Sequence, residues 1–234
     1  MKWSFRVCRV AGIDVRIHIT FLLLPLFFGW SGWQEGGAAG AGNEIVFILA
    51  LFLCVLLHEF GHALAGRHYG IPTPDITLLP FGGVARMTRI PSRPLQELVI
   101  AVAGPAVNVA IAGVLGILLF AGGGLFSGPP TPERLFLQQL LTVNAGLVLF
   151  NMIPAFPMDG GRILRAVLAM GCGHFRATQI AARVGQVLAV GFAAAGFFTN
   201  PMLVLIGLFV FSGAQDELAY ARFLHEYENT RAEA

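Results

Sequence analysis

Residues 44–66 read EIVFILALFLCVLLHEFGHALAG. The stretch is long and apolar enough for one helical crossing of a bilayer, which takes about 20 residues. Yet it carries His58, Glu59 and His62 within five positions. Ionisable groups at membrane depth are expensive and mark a functional site by default. His58 lies about eight residues from the nearer end of the span, about 12 Å deep at the helical rise, too deep for easy snorkelling. Residues four apart on a helix share a face, one turn apart. Two imidazoles so placed can hold one zinc ion, and the glutamate beside them can serve as a general base.

The rest of the 234 residues fits a membrane setting. Hydrophobic residues make up 56% and charged residues 12%, with 29 glycines, whereas charged residues make up about a quarter of an average soluble domain. This excludes an ordinary soluble globule, a disordered chain and a coiled coil. The net charge of +2 implies no acidic partner, and nothing resembles a nucleic-acid surface. Cys8, Cys54 and Cys172 form no CxxC pair, which argues against a disulfide framework or a cysteine metal site; Cys54 reads as a packing residue. The expected fold is an all-α integral membrane protein. It has about six transmembrane helices, over 17–33, 44–66, 98–120, 135–153, 179–198 and 201–220, within a membrane domain at 1–213 followed by a tail at 214–234. Thr199-Asn200-Pro201 favours a helical hairpin over one kinked helix at the last pair. With the N-terminus inside, fourteen of the fifteen Lys and Arg residues fall on the inner side and only Arg134 outside. That asymmetry predicts a multi-pass protein of the cytoplasmic membrane with both termini cytoplasmic. Trp30 and Trp33 follow the first apolar stretch where a cleavage site would stand in a signal peptide, so that stretch reads as a retained span. In the inner loop at 67–97, β-favouring runs at 76–79 and 84–87 flank Phe81-Gly82-Gly83 and predict a short β-hairpin, one that dips into the membrane against the protein.

A catalytic zinc usually takes three protein ligands and keeps one position open. Of the four aspartates, Asp14, Asp75, Asp159 and Asp216, only Asp159 sits in an apolar region that closes a span. Its surroundings, residues 151–162, read NMIPAFPMDGGR. Pro154 and Pro157 interrupt a helix, and glycines let the backbone turn tightly. Irregular backbone at membrane depth is tolerated only where it is buried or lines a hydrated cavity. Asp159 is therefore the candidate third ligand, with helix capping as the alternative. Asn151, eight residues earlier, is a candidate hydrogen-bond donor to an oxyanion, with a structural interhelical bond as its alternative. For Asn108 the structural bond is the better reading.

HEFGH at 58–62 taken together with NMIPAFPMDGGR resembles the site-2 protease family of intramembrane metalloproteases. LLPFGGVARM at 78–87 resembles the loop after the HExxH helix in members without a PDZ insertion, and AGPAVN at 103–108 resembles a third-span motif of that family. The resemblance covers about residues 10–213 and implies one zinc per chain, held by His58, His62 and Asp159, with Glu59 as the base and a role for Asn151. It implies cleavage in or near transmembrane segments of anti-sigma factors, signal-peptide remnants or similar regulators in the lipid bilayer. Some members carry PDZ or CBS modules; this sequence has no PDZ-sized insertion between its spans and only a short tail at 214–234, so a form lacking both is expected. Assembly as a homo-oligomer stays open. An exposed strand edge in the 67–97 loop offers a way to hold an unwound substrate. The alternative function is a metal transporter using the same three side chains as a transit site. That reading needs polar groups continuing outward, and the outer halves hold little beyond Gln138, Gln139 and Asn144.

Overall fold

The computed structural model describes residues 3–89, 91, 93–122 and 131–233. Lys2 of the N-terminal charge cluster and Ala234 of the expected tail lie outside them, as do the side chains of 228, 229 and 231–233. Strands β1 (Ser4–Val10) and β2 (Ile13–His18) lead through a 3-10 turn into α1 (Leu23–His68). Strands β3 (Asp75–Leu79) and β4 (Gly82–Arg86) follow, then α2 (Pro94–Ala121), α3 (Pro132–Asn151), α4 (Asp159–Cys172), α5 (His174–Phe198) and α6 (Pro201–Glu233).

Among the described residues, four helical segments are long and apolar enough to cross a membrane: Ile19–His68, Pro94–Ala121, His174–Phe198 and Pro201–Tyr227. The expected six spans are not confirmed as six. Helix α3, expected as a span over 135–153, is not among the four; it carries Glu133, Arg134, Gln138, Gln139 and Asn144 along its length. The expected first two spans belong to one element, α1, which breaks at Gly36 and Gly37. Gly37 takes φ +59, a region that a Cβ disfavours. The two arms fold back on each other: a Cβ on Gly32 would stand 2.5 Å from the Gly40 carbonyl oxygen, and one on Gly29 would stand 3.0 Å from Ile45 Cδ1.

The all-α expectation is corrected by a four-stranded sheet in the order β1-β2-β3-β4. The anticipated hairpin is β3–β4, antiparallel from Asp75↔Arg86 to Leu79↔Gly82. The N-terminal pair is the addition, and residues 17 and 18, expected to open the first span, close β2 instead. Ile13-Asp14-Val15-Arg16-Ile17-His18 alternates apolar with polar at the strand period. Ala11 and Gly12, at φ +50 and +80, form the two-residue turn with both φ positive that matches strand twist. Strand β2 pairs in parallel with β3, from Asp14↔Asp75 to Ile17↔Leu78, and α1 is the crossover between them.

The chain divides into two compact units, Met1–Ile90 with Ala103–Val148, and Pro91–Val102 with Leu149–Ala234. In the first, Ile13, Val15 and Ile76 pack on Phe60 and Ala63 of α1. Phe21 meets Phe52 edge to face at 4.7 Å beside Ile48 and Leu78. Cys54, Leu115 and Leu140 join α1, α2 and α3. In the second, α5 and α6 are two helices separated by Thr199 and Asn200, as the hairpin reading expects. A Cβ on Gly207 would stand 2.7 Å from the Ala189 carbonyl oxygen. Lipid tails are as apolar as leucine, so such close approach of small residues supplies association where the hydrophobic effect does not.

Candidate metal centre

The second arm of α1 presents three faces. Leu56, Phe60 and Ala63 face the sheet. Glu59 lies under β4: a Cβ on Gly83 would stand 2.6 Å from Glu59 Cγ, so glycine is the residue that lets the strand lie over the glutamate. His58 and His62 face α2. There Gly61 crosses the Ala103 backbone, with room for a hydrogen only. A Cβ on Gly104 would collide with His62 Nε2 and stand 2.7 Å from His58 Nε2. Both imidazoles are buried. Their Nε2 atoms are 3.1 Å apart and their rings meet edge to face, so the two nitrogens converge on one point.

A chain of hydrogen bonds runs from the back of His58. Its Nδ1–H donates to Asn108 Oδ1 at 2.5 Å. Asn108 Nδ2 donates to Asn144 Oδ1 at 2.9 Å. Asn144 Nδ2 donates to the Leu140 carbonyl at 2.8 Å and reaches Cys54 Sγ at 3.4 Å. Both asparagines are fully buried. Asn108 is thus bonded across helices, as the structural reading has it, but its partner is one of the candidate ligands. The part played by Asn144 escaped sequence reading. A single asparagine side chain carries no spacing that points to partners 36 and 90 positions away.

In the second unit, Asp159 opens α4 after the irregular segment 152–158, in which the Phe156–Pro157 peptide is cis. Ala155 and Met158 pack with Ala189 and Val210. Phe156 packs with Ala181, Ala182 and Ala214. Glycines meet this segment closely: Gly213 lies against Pro157 and Gly185 against Ala155. Gly160 and Gly161 fold back onto the segment itself, where a Cβ would stand 2.5 Å from the Met152 carbonyl oxygen and 2.6 Å from the Ala155 carbonyl carbon, respectively. Buried Arg165 covers the Phe156 ring at 4.9 Å. Its guanidinium bonds Glu97 and Glu217, each through a contact of 2.7 Å. Asn151, half-buried, is the last residue of α3. Outside the spans, Asp75 holds Arg86 through two hydrogen bonds, and that bonding and its charge raise the guanidinium pKa above its already high ordinary value.

His58 and His62 in the first unit and Asp159 in the second are each buried, and the three are a group of residue types able to hold one metal ion. Two imidazole nitrogens and a carboxylate oxygen are a donor set suited to a catalytic zinc with an open position. Gly104 keeps the space between the imidazole tips free of a side chain. The residues present fit one metal ion.

Residues 46–133 and 133–192 match a model of Peptidase family M50. The chain is 38% identical over 238 residues to "Zinc metalloprotease MJ0392" of Methanocaldococcus jannaschii, covering 99% of this chain and 66% of that protein. It is 34% identical over 240 residues to "Putative zinc metalloprotease Rip3" of Mycobacterium tuberculosis, covering 93% and 59%. Among solved structures it is similar to the "Site-2 Protease from Methanocaldococcus jannaschii", with a TM-score of 0.66 and 39% identity over 92% of this chain and 95% of that one. The chain spans between 59% and 66% of the length of these two curated relatives. Its apolar helices and these relatives make it a multi-pass membrane protein, and the chain belongs to Peptidase family M50, the site-2 protease family.

Proposed function

We propose that the chain is a zinc-dependent intramembrane endopeptidase with His58, His62 and Asp159 as ligands to one zinc and Glu59 as the general base. The observation that carries this reading is the buried His58–His62–Asp159 group with Glu59 on the same helical turn as the histidines. When bound, zinc acts as a Lewis acid that lowers the pKa of a water towards neutrality. Glu59 takes the proton of the attacking water and returns it to the departing amine. The Asn151 amide donates to the developing oxyanion. A helical substrate hides its carbonyls, so it must unwind locally. Strand β4 is an edge of the sheet and lies against Glu59 through Gly83, which suits it to pair with an extended segment.

The finer features belong to the same proposal. They are six crossings of a cytoplasmic membrane with both termini inside, supported by the arginine distribution. The substrates are single transmembrane segments of regulators such as anti-sigma factors, or signal-peptide remnants, and self-association is compatible with the scheme. Family membership gives no support to the transporter alternative.

The test compares membrane proteins and their fragments by mass spectrometry in cells carrying the wild-type chain or Glu59→Gln, with zinc measured on both purified chains. The expected result is one or more membrane proteins accumulating intact only in the variant, at equal zinc content. Matching profiles under conditions where the wild-type chain is expressed and zinc-loaded overturn it.

A further inference from the structure

An imidazole ligates a metal through one nitrogen only when the other holds the proton, so whatever bonds the far nitrogen selects the tautomer. Around His58 that selection is made two helices away, on α3. The Leu140 carbonyl can only accept. Its 2.8 Å bond therefore turns the NH2 end of Asn144 towards it and leaves Asn144 Oδ1 to accept. Asn108 must then donate through Nδ2, which leaves its Oδ1 facing His58 Nδ1 at 2.5 Å. An oxygen there requires a proton on Nδ1. We infer that Asn144 and Asn108 transmit the polarity of the Leu140 carbonyl to His58, locking it as the Nδ1–H tautomer with the Nε2 lone pair directed beside His62 Nε2.

Both asparagines are positioning residues, because neither touches the reacting atoms. Burial gives the relay its force: each amide, fully enclosed, that turned the wrong way would leave two acceptors or two donors face to face with no water to satisfy them. The inference rests on the metal-site reading above. It adds that metal affinity is set partly by residues that no ligand motif contains.

The test measures zinc affinity by chelator competition in detergent micelles, together with the imidazole nitrogen chemical shifts of His58 in the metal-free chain. Asn108→Leu removes the acceptor at nearly constant shape. It is expected to weaken zinc binding about 10- to 100-fold, the range for losing an outer-shell partner, and to convert His58 to a mixture of tautomers. Asn108→Asp keeps an oxygen at Nδ1 and is expected to bind zinc at least as tightly as wild type. Asn144→Leu frees Asn108 to turn over and is expected to weaken binding about tenfold. Wild-type affinity and unshifted His58 nitrogens in folded Asn108→Leu overturn the relay. Should that variant fail to fold, equal affinities in Asn108→Asp and Asn144→Leu overturn it instead. A wild-type chain that binds no zinc, with His58 held as the Nδ1–H tautomer, would overturn the metal-site reading and leave the relay standing.

Discussion

His58 and Asp159 are both buried candidate ligands, and the chain holds them by opposite means. His58 and His62 stand on a regular helix, where the i, i+4 spacing brings them onto one face without further structure. What the helix leaves undecided is the ring: which nitrogen points forward and how close a neighbour may come. Gly104 and the two asparagines decide that. Asp159 has no such spacing. Its position is built by packing, with Ala155, Phe156 and Met158 set against small residues of α5 and α6 and Arg165 laid over the Phe156 ring. The helix site is therefore sensitive at its side-chain tips, and the loop site at its supports.

The largest expected effect tests the loop support. Arg165→Met leaves Glu97 and Glu217 without their guanidinium partner, and Glu97 is almost wholly buried. Breaking a buried pair from one side costs about 3–5 kcal/mol. Thermal unfolding in detergent should show a drop of many degrees, with zinc affinity falling because the Asp159 segment loosens. On the helix side, Gly104→Ala places a methyl between the imidazole tips. Zinc binding should fall about 100-fold, equivalent to about 2.7 kcal/mol, with far less loss in the unfolding temperature than Arg165→Met. Equal stability losses in the two variants would erase the contrast. The smallest effect sharpens its edge. Arg86→Ala removes the cross-strand pair with Asp75, in which the arginine is half exposed, and should cost at most about 1 kcal/mol. Zinc affinity should not change, because neither Asp75 nor Arg86 belongs to the candidate ligand group.

The same contrast governs what was legible in the sequence. HEFGH declares itself, since helical periodicity converts spacing into geometry. Asp159 was readable through the prolines and glycines around it, which announce irregular backbone in an apolar region. The supports of that loop were not readable. Arg165 looks like one more inner-side arginine until Glu97 and Glu217, 68 and 52 positions away, are brought to it. Strands β1 and β2 were hidden by a competing signal. Arg6, Arg9 and Arg16 read as an inner-side charge cluster before a first span, a signal that masks the alternation of Ile13, Val15 and Ile17 among them. The break in α1 shows the converse: the spans expected over 17–33 and 44–66 leave an interval between them, and the helix breaks within it at Gly36 and Gly37.

The parallel pairing of β2 with β3 gives the molecule a schedule. The partner of Asp14 is Asp75, and most of the chain between them is the folded-back α1. Strands β1 and β2 can zip together as soon as they are made, but their inner edge must wait. At about 5–20 residues per second of synthesis, that wait lasts roughly 3–12 seconds. During it, one strand edge stands open at the membrane surface while both arms of α1 enter. The glutamate on the second arm thus arrives before the strand that covers it, and the sheet is completed only by a chain whose α1 has already turned back.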